Sequence, residues 1–440
     1  MHVPVSAPTL RELMQELDGP RLAELLPLSG DSREYLHWDT VLHLDPPEGL
    51  SRREWWLSLK LGRVMARKQV PLRHLHSSLF YFTTPDPVLR RLHLLDQQLA
   101  GRIAMAESIT SEGLRDKYLV TSLMEEAITS SQLEGAVTSR PVAKEMLRSG
   151  RPPRDRSELM IANNFAAMRR VREVLDQPLT PELVCQLHRI VTVGTLDDPT
   201  SAGRLEQPGE PRVRVWGHGD QLLHTPPPAQ ELPQRLAALC AFANAETDQG
   251  FVHPIIRAVV LHFWIGYDHY FADGNGRTAR AVFYWSMLRQ GYWLAEFLTI
   301  SSVLRQAPIA YAQSFLYAET DDNDLTYFVI AQLDVLLRAV VSLQEYLQRK
   351  VAETARVEGL LGGDSGINHR QRVLLSKALR DTHSVYTIAG HQSAHRVVYQ
   401  TARADLLSLA ERGFLLRERK GHAFVFMVPT DLHDRLRHNY

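Results

Sequence analysis

Apolar positions along this chain recur mostly at steps of three and four, the spacing of a buried helical face. Ile255, Ile256, Val259, Val260, Phe263 and Trp264 describe one such helix, and Ala281, Phe283, Tyr284, Met287 and Leu288 describe a second soon after it. Leu333, Leu336, Val340, Leu343 and Leu347 carry the period through a long helix from about Thr326 to about Val357. Only about three heptads are present, which favours a seam buried in its own domain over a coiled-coil dimer. Ser51 and Glu54 have capping-box spacing ahead of Trp55, Trp56, Leu57, Leu59 and Leu61. Thr180-Pro181 starts another helix, with Leu183, Leu187 and Ile190 along one side. Alternation with period two is scarce. Val213 and Val215 alternate with Arg212 and Arg214, Gly217–Asp220 can turn the chain towards Leu222 and Leu223, and Pro226–Pro228 stops it. The pattern predicts a mainly α fold with one small hairpin.

The same pattern suggests an organisation. Residues 1–102 read as a helical region, with Trp38, Trp55 and Trp56 in its core and a soft boundary near Gly101. Residues 103–358 form the central unit. Gly359, Gly362, Gly363 and Gly366, with Asp364 and Ser365, make residues 359–367 a linker. Beyond it, Gln371–Leu379, Ser393–Val398 and Thr401–Ala410 have helical periodicity, and Gly413-Phe414-Leu415 and Ala423–Val428 flank Arg417, Arg419, Lys420 and Gly421. Residues 368–440 thus resemble a winged helix, with Thr401–Arg412 as recognition helix and Arg417–Gly421 as wing. They hold twelve Lys/Arg against six Asp/Glu. DNA contact through Arg403 and the wing cations is one expectation; a protein-binding or dimerisation module of the same shape is the other, since fold does not fix function.

Composition narrows the classes. Fifty Lys+Arg balance fifty Asp+Glu, which removes a globally basic nucleic-acid coat. A hydrophobic share of 44% with 23% charged residues excludes wholesale disorder. Cys185 and Cys240 are too few for a disulfide framework or a four-cysteine zinc site. Met1–Leu10 lacks the pattern of a signal peptide, and His262, Asp334 and Arg338 interrupt the most apolar stretches. The expectation is a soluble, cytoplasmic protein with no membrane partner. Histidines give no zinc motif: His391 and His395 share helical spacing without a nearby Cys, Asp or Glu, His-Glu-x-x-His is absent, His74 and His76 would point apart on a strand, and His262 reads as core.

Chemistry concentrates between the two most apolar helices, in His269-Tyr270-Phe271-Ala272-Asp273-Gly274-Asn275-Gly276-Arg277-Thr278-Ala279-Arg280. Gly274 and Gly276 let backbone approach a ligand closely. Free amides at the start of the next helix favour an anion such as phosphate. Arg277 and Arg280 lie on neighbouring parts of one helical face and have forked donors for outer phosphates. Asp273 supplies a hard oxygen suited to Mg²⁺. His269 is the one side chain here that accepts a proton near neutral pH. An EF-hand alignment on Gly276 puts Phe271 and Val282 at ligand positions, which excludes calcium, and the Gly-Lys-Ser/Thr phosphate loop is absent. The set specifies nucleotidyl or phosphoryl transfer.

These residues resemble the motif of the Fic family of adenylyltransferases (Fido fold), His-Pro-Phe-x-Asp/Glu-Gly-Asn-Gly-Arg-x-x-Arg, with Tyr270 where the family usually has a loop-stiffening proline. The likeness extends over about Tyr118–Tyr346. It implies that His269 deprotonates a Tyr, Thr or Ser hydroxyl of a target protein, which attacks the α-phosphate of ATP. It also implies that Asp273 holds Mg²⁺, that Gly274, Asn275 and Gly276 stabilise the transferring group, and that Arg277 and Arg280 hold phosphates. The hairpin at Arg212–Leu223 resembles the family's flap, which aligns the target segment by strand pairing. Ser130-Ser131-Gln132-Leu133-Glu134-Gly135 resembles its inhibitory motif, placed N-terminal to the core. By that likeness Ser130, Glu134 and Gly135 form a brake in which the Glu134 carboxylate takes the guanidinium of Arg280. Two other readings remain: the same site removing AMP from a modified protein, and a DNA-binding regulator with an ATP-sensing site. A homodimer stays open.

Overall fold

The computed structural model describes residues 2–26, 34–75, 78–99, 112–217, 221–247, 250–362, 366–380, 384–395, 397–420 and 423–438. The boundary expected near Gly101 lies outside them. The fold is mainly α, as the periodicity predicts. Its helices in the first half are α1 (Leu10–Gln15), α2 (Gly19–Leu25), α3 (Trp38–Val41), α4 (Arg52–Met65), α5 (Asp86–Leu99), α6 (Glu112–Leu133), α7 (Arg140–Ser149), α8 (Arg156–Glu173) and α9 (Pro181–Thr192). There follow α10 (Leu232–Ala243), α11 (Pro254–Asp268), α12 (Asn275–Arg289), α13 (Ile300–Gln306), α14 (Pro308–Thr320) and α15 (Thr326–Gly362). Strands β1 (Lys68–Arg73) and β2 (Leu79–Phe82) form one antiparallel pair, and β3 (Val215–Trp216) and β4 (Leu222–His224) another. The chain divides into two compact units, residues 1–343 and 344–440.

Helix α11 organises the first unit. Apart from Pro254 and Gly266 its residues are buried, which is the pattern of a helix enclosed on all sides. It packs against α12 and α10, while α8 and α9 cover α12 and α6 lies across α8 and α13. Thr180 caps α9 by accepting from the Leu183 amide, with Pro181 in the first turn. Ser51 and Glu54 close the capping box of α4 in both directions. Leu333, Leu336, Val340 and Leu343 are buried by this chain's own core, as the short heptad run predicts. Over 326–349 α15 is apolar and long enough to cross a membrane, yet half of that window is buried in the fold and its Asp334 pairs with Arg91 at 2.7 Å.

Residues 1–102 depart from the expectation of a helical region in two ways. They contain β1 and β2, which periodicity missed because Pro71 interrupts the alternation of buried Val70 and Leu72. They also belong to the same compact unit as the core. Tyr81 on β2 donates its amide to the Asn323 carbonyl and accepts from the Leu325 amide. Lys60 on α4 lies 2.5 Å from Asp321 and 2.9 Å from Asp322. Tyr327 donates its hydroxyl to Asp321 at 2.7 Å and accepts from Arg63 at 2.6 Å.

The second unit contains α16 (His369–Arg380), β5 (Val385–Thr387), α17 (Ile388–His395), α18 (Tyr399–Glu411), β6 (Leu416–Lys420), β7 (Ala423–Met427) and α19 (Leu432–His438). Its antiparallel sheet has the order β5-β7-β6, with Leu416 opposite Met427 and Lys420 opposite Ala423. Leu375, Leu406, Leu409, Phe414 and Phe426 form the core. Three corrections apply. The expected linker begins inside helix, because two glycines at ~1 kcal/mol each do not stop a helix of 37 residues. The middle helix starts at Ile388 rather than Ser393, since the Thr387 hydroxyl caps it by accepting from the Gly390 amide. His391 does have an acidic neighbour: Asp405 on α18 reaches its Nε2 at 3.2 Å and also accepts from Arg370 and Asn368. Among the described residues no three His, Cys, Asp or Glu side chains gather to hold a metal ion. Arg403 is exposed on α18; Gly421, the last residue of the expected wing, lies outside the described residues.

The Lys60 cluster yields a stability prediction. Lys60 and Asp321 are fully buried, and removing one partner of such a pair leaves a charge poorly compensated. Lys60→Met should destabilise the first unit by about 3 kcal/mol, and Lys60→Met with Asp321→Asn should recover part of the loss. Thermal and urea melts of the full chain decide it; a single variant that melts like the parent contradicts the assignment.

Candidate active site

The motif occupies the joint between α11 and α12, and local backbone geometry explains its glycines. Helix α11 ends at Asp268, and His269 turns the chain at φ 49°, ψ 58°, in the left-handed region that a non-glycine residue rarely adopts. Gly274 sits at φ 83° as the N-cap of α12, and a Cβ there would meet Thr192 Cγ2. A Cβ at Gly276 would run into the Glu134 carboxylate. Asn275 is placed differently from its expected role. Its carboxamide accepts from the Phe271 amide at 3.1 Å and donates to the Phe271 carbonyl at 2.6 Å. The side chain therefore braces the loop from inside, and only its backbone amide remains for a phosphate. That amide and those of Gly276 and Arg277 open α12, where no intrahelical acceptor exists for them.

His188 on α9, unremarked in the sequence, locks this loop from below. Its Nδ1 accepts from the Gly203 amide at 2.9 Å, so the proton lies on Nε2, which donates to the Asp273 carbonyl at 2.8 Å. Its ring stacks on Phe271 with centroids 3.7 Å apart. Burial pushes its pKa down to about 4, which keeps the ring neutral.

His269 has the tautomer of a base. Nδ1 lies 3.2 Å from the Gly266 carbonyl, which can only accept, so Nδ1 carries the proton and Nε2 keeps its lone pair. Burial, followed by the positive neighbours His224 and Arg212, outweighs the Gly266 carbonyl and lowers the pKa to about 4. Arg212 also donates to the carbonyls of Asp268 and His269 at 2.9 and 3.1 Å and pairs with Glu206. His224, at the end of β4, bridges the Tyr267 carbonyl at 2.7 Å and Glu319 on α14 at 2.8 Å. Burial opposes its charge, but Glu319 and the carbonyl prevail and raise its pKa.

The acidic and basic groups divide the remaining work. Asp273 is about half exposed and takes the Gly274 amide on one oxygen, with Arg277 3.5 Å from the other. Arg277 donates to the Val191 carbonyl at 2.8 Å. Arg280 is buried, donating to Glu134 at 2.7 Å, to the Ser130 hydroxyl at 2.8 Å and to the Ser130 carbonyl at 3.2 Å. Arg277 Nε and Arg280 Nη1 are buried without hydrogen-bond partners among the described residues, so both guanidinium groups retain donor capacity. Ser130 and Glu134 stand at the end of α6, where Gly135 at φ 96° turns the chain away. Two contacts set the register of α6. Ser131 donates its hydroxyl to the Met160 carbonyl, and fully buried Glu126 accepts the Ser301 amide and hydroxyl at the start of α13. Burial raises the Glu126 pKa.

Sequence reasoning missed His188, Arg212, His224, Glu126 and Glu319. Each lies outside the motif, on another element or, for Arg212, in the loop before β3, and none has a spacing that links it to the motif.

Residues 178–287 match the model of the Fic/DOC family. Curated relatives carry the name Protein adenylyltransferase Fic. The one from Drosophila willistoni is 27% identical over 207 residues, 46% of this chain and 39% of that protein. The one from Culex quinquefasciatus is 30% identical over 131 residues, 29% and 24% respectively, and that from Nematostella vectensis is 26% identical over 44% of this chain and 42% of its own. The chain thus spans about two-fifths or less of the length of these relatives. A solved Fic family protein from Desulfovibrio desulfuricans shares the fold, with a TM-score of 0.53 at 19% identity over 79% of this chain and 97% of that one. The matched segment runs from just before α9 through the loop and most of α12, and over that stretch the chain is similar to the Fic/DOC family.

Proposed function

We propose that this chain transfers AMP from ATP to a hydroxyl side chain of a target protein, and of itself, under restraint by Glu134. The observation that carries the reading is the neutral His269, its Nε2 lone pair free, at the head of a loop that ends in an amide-rich helix start with two arginines. The name shared by the curated relatives supports the same chemistry.

The residues divide the reaction between them. The amides of Asn275, Gly276 and Arg277, with the α12 dipole, receive phosphate charge. Arg277 and Arg280 complete the cradle with forked donors. His269 Nε2 takes the proton of the target hydroxyl as its oxygen bonds to the α-phosphorus; the bond to the bridging oxygen breaks, and pyrophosphate leaves. Asp273, with a half-exposed carboxylate, fits the single protein ligand that Mg²⁺ commonly takes beside substrate phosphates. When bound there, the ion would neutralise phosphate charge. Strands β3 and β4 pair only with each other among the described residues, so an edge is open to an added target strand.

The restraint follows from one shared space. Glu134 presses its carboxylate against Gly276 and holds Arg280, the group a terminal phosphate would need. A triphosphate bound beside it loses that anchor, and its α-phosphorus is left out of line.

Two measurements with labelled ATP test this reading. Glu134→Gly should raise self-modification by about tenfold or more, and His269→Ala in that background should lower it by roughly 100-fold or more. Unchanged incorporation in the first refutes the restraint; persistent transfer in the second refutes the base. A pH profile supplies the other test. Because the folded His269 titrates near 4, its base form is complete above pH ~5. The acid side of kcat/KM should therefore stay level through 6.5 and fall only as pH nears 4. An acid limb centred at 6.5 contradicts the buried, neutral imidazole.

A further inference from the structure

The left-handed turn at His269 needs a cause, because a side chain with a Cβ gains nothing from that conformation. The conformation crowds Cβ against the following carbonyl oxygen. Three contacts hold the backbone on either side of it. Arg212 draws in the carbonyls of Asp268 and His269, and the Glu206 amide donates to the Tyr270 carbonyl at 3.0 Å. The third contact reaches across the histidine itself: the Tyr270 hydroxyl donates to Asp268 Oδ2 at 2.7 Å.

Both partners are built into the core. Tyr270 and Asp268 are fully buried. Asp268 closes α11, where the helix dipole opposes a negative charge. It is stabilised by donors from three directions: Trp264 Nε1 at 2.8 Å, Arg235 Nε at 2.9 Å, and Tyr270. Trp264 and Arg235 fix the carboxylate to α11 and α10. Tyr270 alone ties it to the loop. The hydrogen bond from residue 270 to residue 268 therefore closes a ring around the backbone of His269 and narrows the angles open to it.

The geometry points to Tyr270 and Asp268 as a positioning clamp that holds His269 in its base-competent orientation, restoring by a side-chain hydrogen bond the stiffness that a proline at 270 would give through its ring. This rests on the AMP-transfer reading for its kinetic test, and on the structure alone for its spectroscopic one. Without the clamp, ATP still meets α12, but Nε2 spends less time aligned with the attacking hydroxyl. The loss belongs in kcat, not in nucleotide binding.

Tyr270→Phe retains the buried ring and removes only the donor. In the Glu134→Gly background it should lower kcat on the order of tenfold with KM for ATP within about twofold. Asp268→Asn, alone and with Tyr270→Phe, completes a cycle in which the double variant is no slower than the worse single one. Nitrogen-15 spectra of the His269 imidazole give a readout free of activity: one Nδ1-protonated tautomer in the parent, a mixture in Tyr270→Phe. An unchanged kcat with an unchanged tautomer, a parallel change in kcat and KM, additive losses in the cycle, or loss of the fold in both variants overturns the clamp. If Glu134→Gly transfers no AMP while the tautomer still responds to Tyr270→Phe, the AMP-transfer reading fails and the clamp stands.

Discussion

A buried guanidinium requires an anion, and Arg280 imposes that requirement on the site. It has 2% of its side chain exposed, stands in the first turns of α12, and draws its compensation from Glu134 and Ser130. A cation in that position without a partner would cost several kcal/mol in desolvation. The protein supplies the carboxylate of Glu134. In the proposed reaction, carboxylate and terminal phosphate compete for one group, so restraint and substrate binding are the same electrostatic problem solved with different anions. Gly276 lets this happen, since any larger residue would occupy the space where either anion sits.

The rest of the motif serves to keep that competition geometrically strict. The loop between α11 and α12 has little freedom left: Asn275 braces Phe271, His188 holds the Asp273 carbonyl, and Arg212 holds the carbonyls of Asp268 and His269. Each contact consumes a backbone group that would otherwise be buried and unpaired. These intrachain bonds hold the loop's amides as a fixed set of donors. His188 and His269 are both neutral because burial disfavours their charged forms. Their roles differ through tautomer: His188 has its proton on Nε2 for the loop, and His269 has its proton on Nδ1 and its lone pair on Nε2.

Much of this was legible in the amino-acid pattern where a signal is local. The helices around the motif follow from the spacing of Ile255–Trp264 and Ala281–Leu288, and the caps at Ser51 and Thr180 from residue type alone. The pairing of Glu134 with Arg280 was reachable only through the family likeness, since 146 positions separate them. Contacts across the fold left no trace in spacing: Lys60 reaches Asp321, Glu126 reaches Ser301, and Asp405 reaches His391. Strand β1 was hidden because Pro71 breaks its alternation. Asn275 misled for another reason. Its amide and carboxamide both lie at the helix start, and residue type cannot tell which one faces the ligand.

The placement of Glu134 bears on how the proposed restraint would be lifted without loosening the core. Helix α6 is fixed up to two residues from its end, by Glu126 on the start of α13 and by Ser131 on the Met160 carbonyl, and Ile128 is packed with Met160 and Ile161 of α8. Glu134 lies beyond those anchors, after the last helical residue, with a quarter of its side chain exposed and Gly135 following in a left-handed conformation. Swinging the carboxylate away would break one ion pair, with Arg280. Arg280 would keep its two bonds to Ser130, which comes from the same helix end but from the anchored side of it. In the proposed exchange of Glu134 for phosphate, Ser130 would keep the guanidinium in place. On that proposal the two residues four positions apart divide a structural task from a regulatory one, and the division follows from where the anchors of α6 stop.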